Sequence, residues 1–148
     1  MRPLIGGMAA EFPRCDCARL FDLAADIESY PRFLPWCRSA RVLSRADGVW
    51  EVDNQFGAGP VEARFRSRAV PRPPERLEIT SDDGPFRSFR LVWTFTPLAG
   101  GGCRVAADYA MEFRSPLLRL LAGLGAPEAG RLVMANFRAR VKAIHGGD

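Results

Sequence analysis

The sequence predicts an α+β fold, an antiparallel sheet of about six or seven strands covered by one long C-terminal helix, with two short helices near the N-terminus. Three observations carry that expectation. Between Arg41 and Phe113 apolar residues recur with a period of two, the mark of strands with one buried face. The strands are separated by turns of two to six residues, too short for crossovers, so neighbours run antiparallel as a meander. From residue 128 to 145 the spacing becomes helical, with Ala129, Leu132, Val133, Phe137, Val141 and Ile144 sharing a stripe.

Taken in order, residues 8–12 suit a first strand ending at Pro13. Asp16 is placed to cap a helix reaching about residue 26, with Cys17, Leu20, Phe21 and Ala24 on one face. Pro31 and Pro35 then bar a regular helix through Tyr30-Pro31-Arg32-Phe33-Leu34-Pro35-Trp36-Cys37, an apolar stretch that must either plug a core or form the lip of a hollow. Residues 41–43 and 49–56 flank Asp47-Gly48, a pair suited to the left-handed angles of a hairpin. Gly57-Ala58-Gly59-Pro60 turns into residues 61–69, where Val61, Ala63, Phe65, Ser67 and Ala69 alternate with charged neighbours. Residues 71–74 close that strand, and residues 76–80 form another with Leu77 and Ile79 inward. The longest strands are residues 88–95, with Phe89, Leu91, Trp93 and Phe95 on one face, and 103–113, with Val105, Ala107, Tyr109, Met111 and Phe113 on one face. Ser115-Pro116 starts a short leucine-rich helix that Gly123, Gly125 and Pro127 should interrupt, and Gly146-Gly147 should stop the long one.

The 148 residues fit a single domain spanning the chain, and no apolar run is long enough for a signal peptide or a membrane span. We expect a cytoplasmic monomer, peripheral at most to the inner membrane. The net charge of +4 rests on arginine, with Lys142 the only lysine; it suits either a nucleic-acid surface or genome composition, and seventeen carboxylates break it up. Cys15, Cys17, Cys37 and Cys103 match no pairing or zinc spacing and are expected as free buried thiols.

The inward positions mix large rings with small side chains, which either interdigitate or leave a cavity. Here the residues resemble a known family. The run Ala25-Asp26-Ile27, Tyr30-Pro31, Phe33-Leu34-Pro35-Trp36-Cys37, then Asp83-Gly84-Pro85-Phe86, Trp93, Phe95, Pro97, and Asp108-Tyr109, Met111 and Phe113 are similar to the coenzyme Q-binding proteins of the polyketide cyclase and START-like superfamily, whose bacterial members are often labelled ribosome association toxins. The resemblance implies a helix-grip (START-like) fold with a hydrophobic tunnel for a ubiquinone-type isoprenoid lipid, transient contact with a membrane surface, and a role in respiration. Two positions depart from it: the segment before Asp16 lacks a basic first strand, and Leu91 stands where a polar residue is expected.

On that basis the ligand-binding candidates are Tyr30, Phe33, Leu34, Pro35, Trp36, Phe65, Phe89, Leu91, Trp93, Phe95, Tyr109, Met111, Phe113, Val133, Asn136, Phe137 and Arg140. Trp36, Trp93 and Tyr109 offer donors for ligand oxygens, while Asn136 and Arg140 either face the ligand or reach water. Asp26, Asp108 and Glu112 have no nucleophile or metal partner and His145 lies in the last turn, so we expect no catalytic residue, no metal, no required cofactor and no enzymatic activity. The alternative is binding to the large ribosomal subunit through outward Arg64, Arg66, Arg68, Arg87 and Arg90, hindering subunit association; a third reading, a cyclase-like enzyme, would need a polar residue pair inside the tunnel that the sequence does not offer.

Overall fold

The computed structural model describes residues 2–58 and 60–145. The chain runs β1 (Leu4–Phe12), α1 (Cys17–Ala25), a 3₁₀ helix (Ile27–Arg32), β2 (Cys37–Ala46), β3 (Val49–Ala58), β4 (Val61–Arg72), β5 (Arg76–Ser81), β6 (Phe86–Pro97), β7 (Cys103–Phe113) and α2 (Pro116–His145). Among these residues the strands form one antiparallel sheet in the order β1-β7-β6-β5-β4-β3-β2, wrapped around α2. The helix-grip arrangement is the one expected, and its strand order follows from the hairpins, because each strand from β2 to β7 pairs with the next.

Local chemistry accounts for the elements. Asp16 caps α1, its carboxylate accepting from Arg19 N at 2.9 Å. Asp47 and Gly48 join β2 to β3 with φ of 56° and 73°, the left-handed pair that matches the strand twist. The first strand begins at Leu4 rather than at residue 8, because β7 offers it an unbroken register from Leu4↔Met111 to Phe12↔Cys103. The unusual N-terminal sequence therefore still supplies the edge strand. Gly6 serves this pairing: a Cβ there would run into the Tyr109 hydroxyl, so the glycine lets the Tyr109 ring lie across β1.

Three further expectations are corrected. First, α2 is one unbroken helix of 30 residues through Gly123, Gly125 and Pro127. Proline removes one intrahelical bond, but the core holds the helix on both sides of it, through Leu118 and Ala122 before and Val133, Phe137 and Val141 after. Second, its buried stripe is Val133, Met134, Phe137 and Val141, whereas Leu132 and Ile144 are 40% and 46% exposed. Leu132 lies about 140° round the helix from Phe137, and Ile144 is in the last turn. The Ala129 side chain, Gly59 of the expected turn and the Gly146-Gly147 stop lie outside the described residues. Third, only Cys15 and Cys37 are free and buried, whereas Cys17 and Cys103 form a disulfide with their Cα atoms 5.2 Å apart. The first turn of α1 packs on the start of β7, and the 86-residue separation conceals that proximity in the sequence.

Phe137, fully buried, is the point where the layers meet. Its ring lies 5.9 Å from Phe12 of β1, 6.0 Å from Phe33 and 5.3 Å from Trp93 of β6. Removing such a ring costs about 3–5 kcal/mol.

Candidate functional site

Between α2 and the inner face of the sheet lies a cavity of about 510 Å³, a size typical of small-molecule sites at ~300–1,000 Å³. Its floor is Phe65 and Ser67 of β4, Ile79 of β5, Phe89, Leu91 and Trp93 of β6, and Ala107, Tyr109, Met111 and Phe113 of β7. These are alternate residues of antiparallel neighbours, so rows such as Leu91↔Tyr109 and Trp93↔Ala107 face the same side. The helix supplies Leu121, Ala122, Gly130 and Val133, β1 supplies Leu4 and Met8, and Ile27, Tyr30, Leu34 and Trp36 complete the wall. Two aromatic groups frame the space. One surrounds Phe137, and the other joins Phe56, Phe65, Phe86, Phe89 and Phe113 through edge and tilted contacts of 4.9–6.0 Å. Small residues at Ala107, Ser67 and Gly130 leave the room that a second layer of rings would fill.

The stretch from Tyr30 to Cys37 is both plug and wall. Tyr30, Phe33 and Leu34 are buried, yet Tyr30, Leu34 and Trp36 border the cavity. Hydrogen bonds fasten it: Leu34 N donates to Tyr30 O at 2.8 Å, Gly57 N to Trp36 O at 2.8 Å, and Asn136 Nδ2 of α2 to Phe33 O at 2.7 Å. The Glu28 carboxylate ties the preceding 3₁₀ helix to β2 by accepting from Val42 N at 3.0 Å.

Few polar groups face the cavity. Asn54 Nδ2 donates to Ser67 Oγ at 2.9 Å and Phe65 O at 3.2 Å, which satisfies this buried amide at the wall. Tyr30 Oη donates to Ala24 O at 2.5 Å. Burial holds the Tyr30 phenol far above its ordinary pKa, although the neighbouring Trp93 acts in the opposite direction. Tyr30 is therefore a neutral hydroxyl at any physiological pH. Burial likewise pushes the Cys37 thiol up to about 11. The described lining contains no carboxylate, imidazole, ammonium or guanidinium, and the described residues contain no cluster able to hold a metal. What the site can do is exclude water, orient an apolar molecule and offer it neutral hydrogen bonds.

Of the expected ligand contacts, Tyr30, Leu34, Trp36, Phe65, Phe89, Leu91, Trp93, Tyr109, Met111, Phe113 and Val133 come together around the cavity. Phe33, Pro35, Phe95, Asn136, Phe137 and Arg140 are not in its lining. Phe33 and Phe137 pack on each other, Phe95 packs on Phe21 of α1 at 5.5 Å, and Asn136 uses its amide to clasp Phe33. Sequence reasoning missed Asn54 and Phe56, although Val52, Asn54 and Phe56 alternate in the same manner as the other strands. Leu4 precedes the strand expected over residues 8–12, and Leu121 and Ala122 fall in the part of α2 expected as a separate helix, whereas Met8 and Gly130 lie inside expected elements and carry no local sign that they face a cavity.

On the outer face of the sheet, Arg66, Arg68, Arg87 and Arg90 line a groove together with Glu51, Asp82 and Asp83. Arg68 pairs with Glu51 at 3.1 Å and Arg90 with Glu78 at 2.7 Å. Arg64 and Arg87 are exposed and form no ion pair among the described residues. Among the described residues no helix is long and apolar enough to cross a membrane.

Comparison with known proteins gives this geometry a setting. The chain is 30% identical over 127 residues to the ribosome association toxin RatA of Pseudomonas aeruginosa, covering 86% of this chain and 88% of that protein. It is 28% identical to the mitochondrial coenzyme Q-binding protein COQ10 homolog B of Xenopus laevis, covering 97% of this chain and 63% of that one. The crystal structure of the Zhui aromatase/cyclase from Streptomyces superposes with a TM-score of 0.75 at 12% identity, covering 97% of this chain and 98% of that chain. This last likeness corrects the expectation of no enzymatic activity. That expectation rested on the lack of a nucleophile, triad or metal set, yet a protein described as an aromatase/cyclase is built on this same fold. A family model described as "Polyketide cyclase / dehydrase and lipid transport" matches residues 16–138, and the chain belongs to that family.

Proposed function

We propose that this chain binds one extended apolar molecule in the cavity between α2 and the sheet. The observation that carries this reading is a cavity of about 510 Å³ walled almost wholly by aliphatic and aromatic side chains. An isoprenoid quinone fits that chemistry, since its flat ring and branched tail need dry aromatic surface and little charge. The name of the coenzyme Q-binding relative supports the same class. Leu117, Leu120, Leu121 and Leu124, all more than half exposed on the first turns of α2, would let the protein meet a membrane surface by shallow contact while it loads. Titrating a short-chain ubiquinone while following quenching of the three tryptophans tests this reading; saturable quenching at one equivalent is expected, and no quenching refutes it.

For where the protein acts, a second reading has the stronger support among named relatives, several of which are ribosome association toxins. The groove of Arg66, Arg68, Arg87 and Arg90 supplies a surface suited to ribosomal RNA. Co-sedimentation with the large subunit should be strong at low salt and fall steeply as salt rises. Binding that ignores salt, or is absent at low salt, would sink the ribosomal reading without touching the cavity.

A further inference from the structure

Trp93 is 1% exposed, its ring forms part of the cavity wall, and its buried indole Nε1 makes no hydrogen bond of normal geometry among the described residues, although it lies near enough to the Tyr30 hydroxyl to act on it. Leaving such a donor unpaired in an apolar setting is costly, so natural interiors nearly always satisfy it. Two other buried polar groups of the wall are already committed. Asn54 donates to Ser67 Oγ and Phe65 O, and Tyr30 gives its only proton to Ala24 O. Trp93 Nε1 is the one buried side-chain nitrogen or oxygen left over among the described residues, Trp36 and Tyr109 being only partly buried, and it sits beside Phe137 and opposite Ala107, the smallest side chain in its row.

We propose that Trp93 Nε1–H is the recognition point for a carbonyl-type oxygen on the bound molecule, so that the ligand class is an apolar ring or chain bearing a hydrogen-bond acceptor rather than a plain hydrocarbon. This rests on the reading that the cavity binds an apolar molecule, and it adds a polar specificity to it. The ring carrying the oxygen lies against Trp93 and Ala107, and the apolar remainder extends along Leu91, Tyr109 and Met111 beneath the helix. The arrangement is economical in physical terms. A single directed donor in an aromatic slot separates an oxygenated ring from a hydrocarbon of equal shape, because only the former cancels the desolvation of Nε1.

The test compares a decyl-substituted naphthoquinone with decylnaphthalene, which has the same rings and tail but no carbonyl oxygens, on the unaltered protein and on Trp93→Phe. The naphthoquinone should bind the unaltered protein about fivefold more tightly than the hydrocarbon, the worth of one net hydrogen bond, and Trp93→Phe should erase that preference while leaving hydrocarbon binding in place. In the unaltered protein the Trp93 indole N–H proton resonance should move downfield with the quinone and not with the hydrocarbon, a readout that does not depend on the variant folding. Equal affinities, or an indole resonance that responds to Tyr30→Phe but not to quinone, would overturn the proposal and assign the indole to Tyr30, with the cavity reading intact. Binding of neither probe would overturn both.

Discussion

Ala107→Leu separates a true cavity from a merely loose core. Ala107 is 1% exposed, faces Trp93 and Met8 in its sheet row, and borders the cavity. Leucine there adds three carbon atoms. If they enter empty apolar space, burying them contributes up to ~2 kcal/mol, at about 0.8 kcal/mol per group less some rotamer entropy. If the region is in fact close-packed, the same atoms overpack it and cost ~1–3 kcal/mol. The sign of the change therefore decides the matter. Urea unfolding followed by far-ultraviolet circular dichroism should give an unchanged or raised midpoint at unchanged m-value. Binding of a quinone probe to the same variant should weaken about 5- to 100-fold, since the ligand now meets the overpacking that the free protein escapes. A stability lowered by more than ~1 kcal/mol with binding unaffected would show that Ala107 does not border usable space.

Three further outcomes follow from single contacts. Asn136→Ala removes the 2.7 Å bond to Phe33 O and should lower stability by about 1 kcal/mol while speeding hydrogen exchange at Leu34 and Cys37; unchanged exchange would mean that the clasp holds nothing. Alkylation under denaturing conditions should label Cys15 and Cys37 before reduction and all four cysteines after it, and reduction should lower stability by up to ~4–5 kcal/mol for a cross-link of this span; labelling of four thiols without reductant would contradict the Cys17–Cys103 pair. The Cys37 thiol, raised to about 11 by burial, favours the neutral form in the folded state. Its contribution to stability is therefore fully present below the ordinary thiol value and declines as pH rises from 9.0 towards about 11, so disulfide-exchange labelling of the native protein should be slow at neutral pH and rise across that window. Rapid labelling at neutral pH would contradict the burial of Cys37.

Much of the fold was legible because it is written in local chemistry. The alternation of Phe65, Ser67 and Ala69, the Asp47-Gly48 pair and the Asp16 cap each specify a structure by neighbours within a few residues, and each appears where expected. The cavity floor was legible for the same reason, since Phe89, Leu91 and Trp93 share a strand face by period alone. Asn54 and Phe56 were open to the same reading, but the larger failures are non-local. The Cys17–Cys103 pair depends on α1 docking against β7 across 86 residues. The continuity of α2 depends on core contacts that outweigh Gly123, Gly125 and Pro127, and the length of β1 depends on an edge that only β7 provides. Asn136 illustrates the limit in one residue: its place near the helix stripe leaves it either facing a ligand or reaching water, and only the folded chain reveals Phe33 O as its partner.

The most direct measurement is native mass spectrometry of the purified chain, with and without an added short-chain ubiquinone, run on the unaltered protein and on Ala107→Leu. A cavity-bound apolar ligand predicts one quinone per chain on the unaltered protein and a much reduced bound fraction on the variant. Quinone retained equally by both proteins, or by neither, would contradict it.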